Sequence, residues 1–494
     1  MRITRFVALI LFIVIATVTV LPTYGQSSPP ASVFDAALRP EFRQDIQAHP
    51  DAPRYTMDIT LSLTADVATL QGDLQVKYTN RTSESLETVV FRLYPNLPSF
   101  GGDLQVQTIT IVDQTVLPEF DSTRSVMAVP LPTELAPEQS VILELQFESI
   151  IQAGDAPLYD QYSYINGTLA VPNFFPLLSV YEPGSGWWQV TDHPQGDAVF
   201  SETAFFDVTL TAPAELVVIT SGSLIASQNN DDNTRTHRFV GALIRDFALM
   251  AYNRYMTLSD SQSGIAIDVH YLPGGEDGAV AVMEYTKNSL RVFSETFGAY
   301  PYAELDVVET YTTAGGIEYP GLIVVQDDAW NAVSTYLEYV TAHEVAHQWW
   351  YSLVGNDQTR YPWLDESLTQ YSTALYYGQV RGPEAQAAVL DDYQSGWERF
   401  VANNPDLPVG LPAAEYTGSE YFRIVYQKGP LFFATLADTY GEPALLAALS
   451  AYFDANRYQI ATPTILQDIL ETELQDDLDA VFTEWIGLAQ QPTS

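Results

Sequence analysis

From Tyr55 the chain alternates apolar and polar side chains. Tyr55, Met57, Ile59, Leu61 and Leu63 fall on one side, and Thr56, Asp58, Thr60 and Ser62 on the other. A period of two predicts a strand with one face buried. Similar runs recur at 72–78, 88–94, 108–112, 141–147, 205–210 and 216–219, with turn signals such as Pro95-Asn96 and Gly101-Gly102 between them. Residues 54–255 therefore read as an all-β domain. After Met256 the period changes. One more strand, 265–271, gives way to a helical pattern over about 276–297, strands follow at 306–310 and 321–325, and from Ser334 the chain is mostly helical. Ser334 suits a helix N-cap, Gly355 a helix stop, and Pro362 the first turn of the next helix. Asp438–Glu442 and Thr462–Thr464 break the remaining helices. Residues 256–494 thus form a second domain, and the chain as a whole is α+β and multidomain.

The N-terminus has a separate character. Arg2 and Arg5 precede an apolar run from Phe6 to Leu21, which ends in Pro22-Thr23-Tyr24-Gly25. A basic start and an apolar run short of the roughly 20 residues a membrane span needs read as a secretory signal. Residues 1–25 are assigned to it, with a retained N-terminal anchor as the alternative, and 26–53 to a polar leader. The protein is expected to be exported: secreted, periplasmic or at the cell surface.

Composition narrows the partners. At 494 residues one core does not suffice, which agrees with two domains. The balance of 62 acidic against 21 basic residues leaves a net charge of -41. Such a surface repels nucleic acid and anionic membrane and attracts cationic ligands such as peptide N-termini. The absence of cysteine excludes disulfides, thiol catalysis and thiolate metal sites.

One cluster carries chemistry. His343-Glu344-Val345-Ala346-His347 places two imidazoles one helical turn apart on the same face. They can share one metal ion, with Glu344 within reach of an attacking water. Glu366 follows after 18 intervening residues, far enough for a second helix to bring a third ligand alongside. Peptide hydrolysis would further need an oxyanion donor, for which a phenol suffices, and a carboxylate to hold a free N-terminal ammonium.

Four segments taken together resemble the aminopeptidase N-like zinc peptidases, a family that also includes the leukotriene-epoxide hydrolase. They are His343-Glu344-x-x-His347 with Glu366 and its flanking Trp363-Leu364-Asp365; Gly315-Gly316-Ile317-Glu318-Tyr319; Tyr426-Gln427-Lys428-Gly429; and Phe297-Gly298-Ala299-Tyr300-Pro301-Tyr302 with Leu305-Asp306. The resemblance covers about Tyr55 to Ile486. It implies a saddle-like β domain followed by a thermolysin-like, mostly helical catalytic domain. It implies one zinc per chain, held by His343, His347 and Glu366, with Glu344 as base and Tyr426 as transition-state stabiliser. Glu318, with Gly315 and Gly316, would bind the substrate N-terminus. Tyr421 is a candidate substrate-side aromatic, and Lys428 either a surface charge or a prop for the Tyr426 loop.

The departures are Tyr319 for the family's Asn, Ile317 for its Met and Gly316 for its Ala, and they leave the side-chain preference open. No residue of the β domain that would help hold the amine is evident. The resemblance is to a short form without the family's C-terminal helical domain, which implies a more open cleft. The expected activity is removal of N-terminal residues from peptides. The alternatives are a zinc endopeptidase or epoxide hydrolase on the same scaffold, or a non-catalytic peptide-binding surface protein.

Overall fold

The strand Arg54–Leu63 keeps the predicted alternation, with Tyr55, Met57, Ile59 and Leu61 at most 2% exposed. The structure, a computed structural model, describes residues 32–157, 159–189, 195–330 and 333–487, so the expected signal segment lies outside the described residues. Arg54–Leu63 sits inside an eight-stranded sheet. It pairs antiparallel with Val67–Thr79 and parallel with Ala204–Pro213. Two four-stranded sheets and a two-stranded one accompany it in the β-rich half.

The second half begins with a five-stranded sheet. Its strands Ile265–Tyr271, Glu304–Thr310 and Leu322–Gln326 run parallel, and the short edge strand Gly316–Ile317 pairs antiparallel with the last. Parallel neighbours need a crossover, and the helix Glu276–Thr296 supplies the first one. It buries Ala279, Val282, Met283, Leu290 and Phe293 against the sheet. Helices Thr335–Ala346, Glu366–Arg381, Pro383–Val401, Gly429–Tyr440, Glu442–Asn456 and Pro463–Leu474 follow. Gly441 breaks the chain with φ +92°, and Thr462 caps the helix after it by accepting from Ile465 N.

Three sequence expectations need correction. The ligand helix ends at Ala346, not near Gly355. Pro362 lies in a turn before the next helix, which starts at Glu366. Part of the expected leader is folded: Val33–Ala36, Pro40–Phe42 and Gln44–Ala48 are short helical turns. Arg39 N donates to Pro301 O at 2.9 Å, and Ala303 N to Ala37 O at 3.0 Å. Phe34, Leu38 and Ile46 are buried there, too sparsely spaced to show a period in the sequence.

From Val33 onward the described residues form one compact unit. A single core cluster contains both Met57 and Phe206 of the β-rich half and Trp349, Trp363 and Phe432 of the helical half. Each such side chain contributes roughly 1.5–3 kcal/mol by leaving water. Among the described residues no helix is long and apolar enough to cross a membrane.

Candidate active site

The site is assembled from three helical ends. Ser334 begins the first: its hydroxyl accepts from Leu337 N at 3.3 Å, one of the free amides of a helix start. The helix Thr335–Ala346 has no polar face. Leu337, Glu338 and every residue from Val340 to Ala346 are buried, which explains why it shows no amphipathic period. His347 still has helical φ and ψ, of -60° and -17°, so it stays one turn from His343. The Nε2 atoms of the two rings lie 3.1 Å apart.

Glu366 is the first residue of the next helix. Its carboxylate therefore sits where the helix dipole favours negative charge. Glu366 Oε2 lies 3.4 Å from His343 Nε2 and 3.4 Å from His347 Nε2. Tetrahedral zinc with bonds of about 2.0–2.1 Å sets its donors about 3.3–3.4 Å apart, so the triangle has the right size. Glu366 Oε2 is also buried without a hydrogen-bond partner among the described residues, a position a cation would satisfy. His347 Nδ1 lies 3.0 Å from Trp350 O and 3.2 Å from Thr369 Oγ1. Donating to that carbonyl leaves the Nε2 lone pair free for a metal.

Six carboxylates, Asp197, Glu318, Glu338, Glu344, Glu366 and Asp392, line one cavity of about 1080 Å³. Arg381 is the one Lys or Arg among the described lining residues, and it is bound to Glu338 at 2.6 Å. Burial, reinforced by Glu366 and Asp197, holds the Glu344 carboxyl above the usual range. Burial and then Asp197 do the same to Glu318. For His347, burial opposes a proton, but Glu318 and Glu366 outweigh it and raise the imidazole. Such an excess of buried negative charge calls for a bound cation.

The Gly-Gly pair has a steric role. A Cβ on Gly316 would fall onto the Glu344 carboxylate, so only glycine lets the edge strand pass over the base. Gly315 adopts φ +93°. Together they place Glu318 in the cavity. Donor atoms of Glu318, Glu344 and His347 all lie within 4.8 Å of one another. Gln358 Nε2 donates to Glu318 Oε1 at 3.2 Å and to Asp365 Oδ2 at 2.8 Å.

Tyr426 sits on a π-helical turn, Ile424–Lys428. Its hydroxyl donates to Glu366 Oε1, and its ring lies 6.2 Å from that of His343. Lys428 is a prop, not a surface charge: its Nζ donates to Asp406 Oδ1 at 2.7 Å and Leu407 O at 2.9 Å. Ser367 Oγ ties the turn to the Glu366 helix through Val425 O at 2.7 Å. Tyr421 is buried and lines the same cavity.

All the expected site residues therefore converge. The sequence reading missed Gln161 and Asp197 from the β-rich half, and Gln358. Gln161 Nε2 donates to Asp197 Oδ1 at 3.1 Å, and both line the cavity. Burial, then Glu366, pushes the Asp197 carboxyl up to about 6. These two positions lie on irregular segments 36 residues apart, with no motif or period to announce them.

Comparison with known proteins agrees with this geometry. Residues 281–485 match the Peptidase family M1 domain. "Aminopeptidase 2, mitochondrial" of Saccharomyces cerevisiae is 22% identical over 450 residues, covering 85% of this chain and 46% of the relative. "Aminopeptidase M1" of Arabidopsis thaliana is 22% identical over 465 residues, covering 90% of this chain and 49% of the relative. The chain thus spans about half the length of these curated relatives, and 32% of that of "Aminopeptidase 2" from Candida albicans. The crystal structure of an M1 zinc metallopeptidase from Deinococcus radiodurans superposes with a TM-score of 0.67 at 21% identity, covering 90% of this chain and 94% of that one. Its 281–485 domain match, its β-then-helical architecture and its His-Glu-x-x-His…Glu donor set make the chain similar to the M1, aminopeptidase N-like zinc peptidases.

Proposed function

We propose that the protein is an exported zinc aminopeptidase that removes N-terminal residues from peptides. The observation that carries this is the His343–His347–Glu366 triangle opening onto the cavity that also holds Glu318 and Glu344. Zinc is the metal of the family, and the nitrogen and oxygen donors and their separations here fit it. When bound, it would supply a Lewis acid for the scissile carbonyl and make water more acidic.

The chain's own groups account for the rest. Glu344 is placed to take a proton from the attacking water and return it to the leaving amine, and its raised affinity for protons suits both steps. Tyr426, already oriented by Glu366, is placed to donate to the oxygen that gains charge. Glu318 supplies a carboxylate for the α-ammonium. The α-nitrogen and carbonyl oxygen of one residue are about 3 Å apart by bond geometry. Carboxylate and metal-ligand atoms within 4.8 Å of each other leave room for one residue's backbone, not two. That spacing favours removal of single residues over internal cleavage.

The test is a panel of aminoacyl fluorogenic substrates with and without chelator, plus one peptide with a free and with an acetylated N-terminus. Chelator-sensitive hydrolysis that prefers the free form is expected. Preference for the acetylated form would replace the reading with an endopeptidase. Bound zinc without hydrolysis of any panel member would replace it with a peptide-binding protein. For export, the mature N-terminus of the protein recovered outside the cell is sequenced; retention of the chain in the cytoplasm would refute it.

A further inference from the structure

The turn after the ligand helix holds one residue in a conformation its side chain disfavours. Tyr351 has φ +122°, in the region that glycine alone enters freely. It directly follows Trp350, whose carbonyl faces His347 Nδ1 at 3.0 Å. That carbonyl belongs to the rigid peptide plane joining Trp350 to Tyr351. Rotation about the Tyr351 N–Cα bond sets how the plane lies relative to the rest of the turn. Relaxing φ to an ordinary negative value would swing the carbonyl away from the imidazole, or drag the turn with it.

Both ends of Tyr351 are held by two consecutive residues of the β-rich half. Arg245 and Asp246 lie in the turn between strands Thr234–Ile244 and Ala248–Tyr252. Arg245 Nε donates to Tyr351 O at 2.8 Å, and the Tyr351 hydroxyl donates to Asp246 Oδ2. The grip is itself braced. Arg245 Nη1 donates to Ser201 O at 2.9 Å, and Asn173 Nδ2 to Asp246 Oδ1 at 3.2 Å. Arg245 and Asp246 are 1% exposed and Tyr351 5%. Gly355, which the sequence suggested as a helix stop, has a different purpose: any Cβ there would collide with the Arg245 guanidinium.

We propose that Arg245 and Asp246 are positioning residues for the metal ligand His347, acting through Tyr351. They hold the strained turn that points the Trp350 carbonyl at Nδ1, so the β-rich half sets the tautomer and direction of a ligand in the helical half. This rests on the metal-centre reading of His343, His347 and Glu366, and not on which substrate is cleaved.

The experiment uses the zinc-loaded full chain. The zinc dissociation constant is measured by chelator competition, the visible absorption after cobalt substitution reports ligand geometry, and thermal unfolding reports the fold. Tyr351→Phe should weaken zinc binding about tenfold and Arg245→Gln up to about a hundredfold, the scale seen when the partner of a metal-bound histidine is removed. Both should alter the cobalt spectrum, and Arg245→Lys should recover part of the loss. Arg238→Ala, which removes an exposed pair with Asp207 of the neighbouring strand, should leave zinc binding within twofold. If Arg245→Gln does not fold, Tyr351→Phe, which lacks one hydroxyl, decides. Wild-type zinc affinity and an unchanged cobalt spectrum in Tyr351→Phe would overturn the proposal, even with a lowered unfolding temperature. A wild-type chain that binds no zinc would instead overturn the metal centre on which it stands.

Discussion

Replacing Glu318 by glutamine separates the two jobs a carboxylate can have in this cavity. The substitution keeps shape and the oxygen that accepts from Gln358 Nε2 at 3.2 Å. It removes only the charge. A hydrogen bond to a charged partner contributes about 1.5–3 kcal/mol. At 1.36 kcal/mol per decade, kcat/KM for a peptide with a free N-terminus should fall about 10- to 160-fold. The acetylated peptide has no ammonium to lose, so its rate should stay within about twofold. The measurement is kcat/KM on both forms of one peptide, for wild type and Glu318→Gln. The fold should not suffer: Glu318 is buried beside Asp197, Glu344 and Glu366, whose charges all disfavour its ionised form. The metal-free unfolding temperature should therefore be unchanged or higher. Equal fractional losses on the free and acetylated peptides would show that Glu318 does not read the N-terminus, and the exopeptidase argument would fail with it.

Glu344→Gln should keep zinc, measured by metal analysis, and lose about 10²- to 10⁴-fold in kcat, the scale of a lost general base; turnover near wild type would refute that role. Tyr426→Phe should lower kcat about 10²- to 10³-fold with KM little changed. Removing zinc with a chelator should lower the unfolding temperature reversibly, since a ligand at a hundred times its Kd stabilises by about 2.7 kcal/mol. Asp246 gives a pH signature: burial pushes its carboxyl up to about 6 from 3.8. A carboxyl that binds its proton more tightly when folded favours the fold most at low pH, and that contribution is lost as pH rises from about 4 to 6. The unfolding temperature of Asp246→Asn minus that of wild type should therefore rise across this window; a flat difference would refute the shift.

Much of this site was legible because its chemistry depends on local spacing. His343, Glu344 and His347 lie within one and a half helical turns, and helix geometry alone puts them together. The cap at Ser334 and the strand alternation from Tyr55 are equally local. Glu318 and Tyr426 were readable only by resemblance, since a single carboxylate beside two glycines has no intrinsic signature. Lys428 stayed ambiguous because the acceptors that decide its role, Asp406 and Leu407 O, lie in a loop 22 and 21 residues away. The helix ends were misplaced near Gly355 and Pro362 for a related reason. Glycine and proline mark places where the backbone is unusual, but the need at Gly355 was room for an arginine from the β-rich half.

What the order of residues determined by itself was periodicity and identity: which face of each strand is apolar, which residues can bind metal, and that no thiol takes part. Those properties follow from dihedral geometry and side-chain chemistry over a few neighbouring positions. Tertiary structure alone decided that Asp197 and Gln161 enter the cavity, that Glu366 closes the triangle at 3.4 Å, and that Arg245 and Asp246 grip Tyr351. Each of these joins residues tens to more than a hundred positions apart. No local preference encodes such pairs; they are fixed when two halves bury a common core and their remaining polar groups must find partners or pay the cost of burial without one.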